Sequence, residues 1–299
     1  MNIHVLDLNF RDTPHAIAAY LVVGPAGPAL VETGPGSTLG TLRARLAECG
    51  YAPADIRHVL VTHVHLDHAG AAGWWARQGA QVYVHRAGAP HLVDPSKLLT
   101  SARRIYGDRM ESLWGDVLPI PAEQVTALDD GDTIHVAGLT FTALDTPGHA
   151  THHHVFCLGD IAFSGDAAGV RLPDSSLIAL PSPPPEFDLQ AWLGTLACLW
   201  RENFSVIYPT HFGPVDDVRG HLEAFEALLR ESAAFVRDRM RAGVERGELV
   251  RQYVDWNRDR AVKQGIPEGV FQQYETANPL FMSVDGIMRY WRKQWEVLA

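Results

Sequence analysis

Short apolar runs alternate with amphipathic stretches through the first 215 residues of the chain. Apolar runs of about four to eight residues between Gly and Pro are typical of β-strands, whereas Leu residues that recur every three or four positions are typical of helices. Strands are therefore predicted over Ile17–Val23, Ala29–Glu32, His58–Thr62, Gln81–His85, Thr133–Val136, Leu139–Leu144, His154–Leu158, Ile161–Ser164 and Val206–Tyr208. Helices are predicted over Ser37–Cys49, Gly70–Gln78 and, after the capping residue Asp188, up to about Glu202.

Three other stretches differ from this alternation. Residues 90–123 are rich in Tyr, Trp, Arg and Leu and are predicted to form an inserted helical segment. Residues 173–187 contain five prolines, which predicts a long, stiff loop. Beyond Pro214 the pattern is helical over 218–241, 247–264, 267–277 and 282–296. We therefore expect one domain over 1–215, with an insertion at about 90–123, and a helical C-terminal region over 216–299.

One segment is crowded with side chains that bind metal ions. Residues 62–70 read Thr-His-Val-His-Leu-Asp-His-Ala-Gly and directly follow an apolar strand. His63 and His65 are two positions apart in extended chain, so their imidazoles point to the same side. Asp67 and His68 come where the chain turns towards a helix, which aims them differently. Burying these groups unpaired would cost roughly a few kcal/mol each, so the segment predicts two neighbouring metal positions.

Three further candidate ligands stand at the ends of predicted strands. His149 ends the segment Thr-Pro-Gly-His, Asp166 ends Ser-Gly-Asp and His211 ends Pro-Thr-His. Each has Gly or Pro close by, as expected where the backbone passes near a site. Five histidines and two carboxylates suit two divalent ions that each keep an open position. These ligand types fit Zn²⁺ and also Fe or Mn.

Together these motifs resemble the metallo-β-lactamase superfamily over roughly residues 1–215, with Val-Glu-Thr-Gly at 31–34 as a further match. The resemblance implies an α/β fold, the αββα sandwich, with a catalytic site at one edge of two packed sheets. It also implies the roles of the ligands: His63, His65 and His149 bind the first metal, Asp67, His68 and His211 bind the second, and Asp166 bridges the two.

The resemblance also indicates a branch of the superfamily. True β-lactamases lack the bridging aspartate, whereas glyoxalase II, the lactonases and ribonuclease Z have it, and the helical C-terminal region is similar to that of glyoxalase II. Gly169 stands where lactonases usually have a tyrosine. Glu32 replaces the usual aspartate of its segment, and His153 stands where the family often has a second histidine. Both are predicted to support metal ligands.

The activity implied is that of a metal-dependent hydrolase similar to glyoxalase II. A hydroxide bridging two divalent ions, expected to be Zn²⁺, would attack a small ester, thioester or lactone, with Asp67 and Asp166 as the catalytic carboxylates. The expected partner is a small-molecule acyl substrate. Its contacts are predicted at Arg103, Arg104, Tyr106 and Arg171.

Two alternatives stay open. A phosphodiesterase or nuclease of the same fold would use the same ions, although the formal net charge of −10 disfavours binding to nucleic acid. A binding or regulatory protein with vestigial hydrolase activity would have no need of a complete set of seven ligands. The sequence predicts neither a signal peptide nor a membrane span, so a cytoplasmic location is expected.

Overall fold

The computed structural model describes residues 1–298, with side chains described through Glu296. Within that part of the chain the first sheet contains, in spatial order, β1 (Asn2–Asp7), β2 (Ala18–Gly24), β3 (Gly27–Val31), β4 (His58–Leu60), β5 (Gln81–His85) and β6 (Val125–Leu128). Strands β1 to β3 are antiparallel, and β3 to β6 are parallel. Parallel neighbours need crossover connections, so helices follow β3, β4 and β5.

The second sheet has a different strand order. It contains β7 (Thr133–Val136), β8 (Leu139–Asp145), β9 (His154–Leu158), β10 (Ile161–Gly165) and β11 (Val206–Pro209), arranged as β11-β10-β9-β8-β7. Strands β7 to β10 are antiparallel, and β11 joins β10 in parallel. As a result, β8, β10 and β11 run in the same direction, and their carboxyl ends lie at one edge of the sheet.

Seven helices belong to the connections of the two sheets: α1 (Leu39–Glu48), α2 (Leu66–Ala69), α3 (Ala72–Arg77), α4 (Ala89–Val93), α5 (Ser96–Tyr106), α6 (Met110–Trp114) and α7 (Leu189–Glu202). The predicted insertion contains α4 to α6 and forms the crossover from β5 to β6. The side chain of Asp188 accepts a hydrogen bond from the backbone N–H of Ala191 at 3.0 Å, which confirms the predicted cap of α7.

Alternating side chains of β2 point into two different hydrophobic layers. Tyr20 and Val22 belong to the layer between the sheets, which also contains Phe141 and Phe163 of the second sheet. Ala19 and Leu21 belong instead to the layer that joins the first sheet to α1 and α3, with Leu42 and Trp75 among the buried residues. Strands alternate in this way when both faces of a sheet are covered. The predicted αββα sandwich is confirmed.

The chain ends in four helices: α8 (Val218–Arg241), α9 (Arg246–Lys263), α10 (Glu268–Ala277) and α11 (Leu280–Leu298). Their buried side chains belong to the same hydrophobic layer as the second sheet. Trp192 of α7 and Phe225 of α8 illustrate the contact, with ring centroids 5.5 Å apart. The helical C-terminal region is confirmed, whereas a domain boundary at residue 215 stays a prediction. Among residues 1–298, no helix has the length and apolar character needed to cross a lipid bilayer.

Two strands, β1 and β6, were not predicted. Both lie at the edges of the first sheet, where a strand has one neighbour and less of its surface is buried. In β1 only Leu6 is buried, and in β6 only Leu128 is. These two edge strands therefore lack the apolar run by which the other strands of the chain were predicted.

Candidate metal centre

The seven predicted metal ligands lie where strands end and the two sheets meet. His63 follows β4, His149 follows β8, Asp166 follows β10 and His211 follows β11. The segment after β4 then turns into α2, which carries Asp67 and His68. Because the strands of the second sheet that precede ligands run in one direction, their carboxyl ends face the same edge. The structure therefore brings all seven predicted ligands together.

The first group consists of three histidines. Nδ1 of His65 lies 2.9 Å from Nε2 of His63 and 2.9 Å from Nε2 of His149. The ligand atoms of the group lie within 4.8 Å of one another, and no residue of the group is exposed. Three imidazole nitrogens that converge in this way are a ligand set that would hold a divalent metal ion.

The second group combines a carboxylate with two histidines. Oδ2 of Asp67 lies 3.5 Å from Nε2 of His211 and 3.8 Å from Nε2 of His68. Both imidazoles are buried, and Asp67 is the half-exposed member of the group. The mixture of oxygen and nitrogen ligands suits zinc and also iron or manganese.

Asp166 lies between the two groups. Its Oδ2 is 3.3 Å from Nε2 of His149, a member of the first group. Its Oδ1 is 3.6 Å from Nε2 of His68 and 3.5 Å from Nε2 of His211, both members of the second group. The residue is 3% exposed. One carboxylate therefore presents one oxygen to each group.

Backbone carbonyls orient two of the imidazoles. Nδ1 of His149 donates to the carbonyl oxygen of Pro181 at 2.7 Å, and Nδ1 of His211 donates to that of Ala16 at 2.6 Å. A proton on Nδ1 leaves the lone pair of Nε2 free to point into the centre. Neither carbonyl was found by sequence reasoning, because every residue has one and only the fold decides which is near.

Glu32 and His153 lie beside the ligands, as predicted. One oxygen of Glu32 accepts the backbone N–H of Thr62 at 3.2 Å, and the other lies 3.5 Å from Nδ1 of His68. Nε2 of His153 accepts the backbone N–H of Asp166 at 3.1 Å, so His153 acts on the backbone of a ligand. Glu32 has a left-handed backbone (φ 65°), which for a residue with a side chain is strained.

The backbone before Asp166 passes too close to its neighbours for a side chain. A Cβ atom on Gly165 would lie 2.6 Å from Nε2 of His153 and 2.6 Å from Oγ1 of Thr62. Gly165 also has a φ of +52°, in the left-handed region that favours glycine. The glycine therefore allows the strand end to approach His153 and holds Asp166 in place.

Electrostatics differ between the two groups. Burial, followed by the charges of neighbouring imidazoles, holds the pKa of His63 well below its ordinary value and lowers the pKa of His65 to about 3. Burial also acts to lower the pKa of His68 and His211, but Asp166 and the other carboxylates outweigh it and raise both. The environment of the first group therefore favours neutral imidazoles, the form that binds metal ions, whereas the carboxylates of the second group stabilise the protonated form of its imidazoles.

Several buried polar atoms of the centre have no hydrogen-bond partner within the described residues. They are both ring nitrogens of His68, Oδ1 of Asp166 and Oε2 of Glu32. An unpaired buried polar group costs about 1–3 kcal/mol, and more if it is charged. Cations between the two groups would pair with the inward-facing atoms. The residues present therefore fit a metal centre.

A histidine–glutamate pair beside the centre was not predicted. Nε2 of His152 lies 3.1 Å from an oxygen of Glu186, whose other oxygen accepts a hydrogen bond from Thr151 at 2.9 Å. The ring of His152 lies 5.7 Å from that of His65. Glu186 follows three consecutive prolines, and that stiff segment is the sequence feature that could have indicated a positioned side chain.

The matching family agrees with this geometry. Residues 12–211, more than half of the chain, match the family model described as the metallo-beta-lactamase superfamily. The chain belongs to the metallo-beta-lactamase superfamily. Superfamily members are largely hydrolytic metalloenzymes, and the clustered His and Asp side chains fit that character.

Individual relatives add detail. A solved metallo-beta-lactamase family protein from Thermus thermophilus has a TM-score of 0.67 and 24% identity, over 98% of this chain and 94% of that one, so the shared fold includes the C-terminal helices. A metallo-beta-lactamase fold-containing protein of Sulfurisphaera tokodaii is 25% identical over 67% of this chain and 76% of its own. An atrochrysone carboxyl ACP thioesterase of Aspergillus fumigatus is 27% identical over 56% of this chain and 31% of its own.

In this member of the superfamily the metal centre opens into a cavity of about 510 Å³. Ligands at its floor are His65, Asp67, His149, Asp166 and His211. The walls come from the insertion, the proline-rich loop and the region of the chain between α10 and α11. A volume of this size is ordinary for a small-molecule site.

The predicted substrate residues have different positions relative to this cavity. Tyr106 lines it, but Arg103 and Arg104 do not. Both arginines are exposed and follow the buried Ala102 directly in α5, so the helix presents them to solvent outside the cavity lining. Arg171 also lies outside the lining, and its Nε donates to the carbonyl oxygen of Ser175 at 3.0 Å.

Proposed function

We propose that this protein is a dinuclear metal-dependent hydrolase that cleaves a small ester, thioester or lactone, similar to glyoxalase II. One observation carries the proposal: the two oxygens of Asp166 face two separate ligand groups, one of three histidines and one with Asp67. A single-metal site needs one such group, and a purely structural cluster needs neither an open position nor a cavity. The thioesterase among the relatives supports a thioester substrate.

The first ion would be held by His63, His65 and His149, and the second by the residues Asp67, His68 and His211, with Asp166 shared. We propose Zn²⁺, with Fe and Mn as the alternatives that the ligand types allow. Two bound divalent ions supply Lewis acidity, which lowers the pKa of water towards neutrality and polarises a carbonyl group.

The residues of the chain supply the remaining requirements of the reaction. Carbonyl oxygens of Ala16 and Pro181 hold two imidazoles in the tautomer that binds metal, and Glu32 supports a third. Five of the seven ligands are buried, which keeps the charge interactions among them strong. In the overall reaction a water oxygen bonds to the carbonyl carbon, the C–S or C–O bond breaks, and the thiol or alcohol leaves with a proton.

A panel of substrates tests the proposal. Protein reconstituted with a measured amount of Zn²⁺ is assayed on a thioester, a lactone, an aryl ester and bis-p-nitrophenyl phosphate. We expect cleavage of at least one carbonyl substrate, dependent on metal and abolished by Asp166→Asn. Cleavage of the phosphodiester alone would contradict the proposal in favour of a phosphodiesterase, and binding without any cleavage would favour the regulatory alternative.

A further inference from the structure

The cavity beside the metal centre has two apolar walls. The insertion contributes Leu98, Ala102, Ile105, Leu113 and Trp114. Opposite it, the end of α10, the connection that follows and the start of α11 contribute Ala277, Pro279, Phe281 and Met282. The hydroxyl of Tyr106 lies 3.5 Å from the sulfur of Met282, so the two walls meet. The C-terminal region thus completes a largely apolar space next to the site of hydrolysis.

Three cationic side chains also line the cavity, and all three are exposed: Arg11, Lys97 and Arg109. None of them forms a salt bridge with any residue whose side chain the structure describes. Exposure places these cations at the mouth of the cavity, where they are available to a ligand.

The acidic groups of the lining are less available. Asp67 and Asp166 face the imidazoles of the metal centre, and Glu186 is paired with His152. The fourth acid, Glu275, is half-buried, and burial raises its pKa. The mouth therefore attracts anions more strongly than the charge of the whole chain suggests.

Tyr106 connects the floor of the cavity to the mouth. Burial and, after it, the negative charge of Asp67 raise the pKa of its hydroxyl. Asp67 and Arg109 line the same cavity as Tyr106. A substrate that extends past Tyr106 would have its carbonyl near the metal ligands and its far end near Arg109.

We propose that the cavity selects an acyl ester or thioester with an apolar acyl chain and an anionic alcohol or thiol portion. The acyl chain would lie between the insertion and the 277–282 segment, and the anionic portion would extend to Lys97, Arg109 and Arg11. This inference rests on the proposed hydrolase function and adds the class of substrate. Arg and Lys bind phosphate and carboxylate groups by charge-assisted hydrogen bonds. Each methylene that is buried against apolar walls adds favourable binding free energy.

A series of acyl chains tests the apolar part. Acetyl, butyryl, hexanoyl and octanoyl thioesters of one thiol are compared with the metal-loaded protein. We expect kcat/KM to rise about three- to fourfold for each methylene until the cavity is filled. A flat series, or one that favours acetyl, would overturn the inference while leaving the proposed hydrolase intact.

A pair of thiol portions tests the anionic part. Octanoyl-coenzyme A carries phosphates, whereas octanoyl-N-acetylcysteamine is neutral. We expect Lys97→Gln and Arg109→Gln each to lower the ratio of kcat/KM for the anionic to the neutral substrate by about three- to tenfold. The matched controls are Arg103→Gln and Arg104→Gln, which remove the same charge from exposed positions of α5 outside the cavity lining and should leave the ratio unchanged. Equal effects of all four variants would mean that general electrostatics, not the mouth, attracts the anion.

A binding measurement distinguishes the proposed hydrolase function from the proposed class of substrate. Calorimetry with a non-hydrolysable octanoyl-coenzyme A thioether gives an affinity that requires no catalysis. Binding weakened by Lys97→Gln but not by Arg103→Gln supports the inference even if every substrate in the panel stays intact, a result that would reject only the hydrolase. Hydrolysis of acyl substrates without binding of the thioether would reject only the inference.

Discussion

The metal centre and the cavity walls are assembled from different parts of the fold. Residues 63–68 supply four of the seven candidate ligands, and the others each stand at the end of a strand of the second sheet. In the walls, by contrast, Tyr106 contacts Met282 across 176 positions of sequence. The centre is held by the central strands, whereas the walls belong to a crossover insertion and to the C-terminal helices.

The proposed reaction depends on the ligands of the centre, whereas the choice of substrate depends on the cavity walls. Ligands at strand ends are fixed by the sheet hydrogen bonds and by buried contacts, so their geometry tolerates little change. The walls pack outside that framework and are free to vary in shape without moving a ligand. Changes in the centre should therefore affect metal content and every substrate alike, whereas changes in the walls should affect some substrates and leave the metal in place.

The largest effect is expected from Asp166→Asn, which keeps the shape of the side chain and removes its charge. Because Asp166 faces both ligand groups, we expect a loss of about a thousandfold or more in kcat/KM for all substrates, together with a fall in bound metal from two ions towards one. Metal analysis and kinetics check this. The matched control is Asp160→Asn at the exposed β9–β10 turn, and a variant of Asp166 with full activity and two ions would contradict the assignment.

The next effect concerns the glycine beside the centre. Gly165→Ala introduces a Cβ that meets His153 and Thr62 at 2.6 Å, in addition to the strain of a positive φ. We expect a loss of about 2–5 kcal/mol in the free energy of unfolding. Gly159→Ala has a similar φ of +61° with nothing within 4 Å of the new atom, so about 1 kcal/mol is expected there. Denaturant titrations of both variants check this, and equal losses would show that crowding is unimportant.

A smaller effect is expected from Glu32→Gln. Glu32 lies 3.5 Å from Nδ1 of His68 and does not face the cavity. Loss of its charge should weaken metal affinity about 10- to 100-fold, as for other groups that support a ligand, measured by competition with a chelator. The exposed Glu48→Gln is the control, and unchanged affinity in the Glu32 variant would remove its supporting role.

The smallest effect is expected from Met282→Ala in the wall. Truncation of a half-buried methionine should lower kcat/KM for an octanoyl thioester by about threefold to tenfold, while metal content stays at two ions. Met240→Ala, a half-buried methionine of α8 outside the cavity lining, is the matched control. Loss of metal in the Met282 variant would show that centre and walls are coupled after all.

The elements with a regular apolar pattern were the part of the fold that could be predicted from the sequence. The strand Gln81–His85 and the helix over 218–241 were predicted with the bounds that the structure has, because each combines a regular apolar period with a clear stop. The edge strands β1 and β6 bury one residue each and gave no such period. Each of them forms because it pairs with a neighbouring strand, and that pairing is not visible in a local sequence pattern.

The same limit applies to the site. His63, His65, Asp67 and His68 form a local cluster whose chemistry is visible in the sequence, and family order added the other three ligands. The pairing of His152 with Glu186, and the face on which Arg103 and Arg104 lie, depend on how distant segments pack. Lys97 and Arg109 line the cavity, and the sequence could not indicate this because the opposite wall comes from the distant C-terminal helices.

Anomalous X-ray diffraction from crystals grown with Zn²⁺ tests the central claim most directly. We predict two peaks at the zinc edge, one among His63, His65 and His149 and the other among the second ligand group, with Asp166 contacting both. A single peak, or two peaks of which neither contacts Asp166, would contradict a dinuclear centre in this protein.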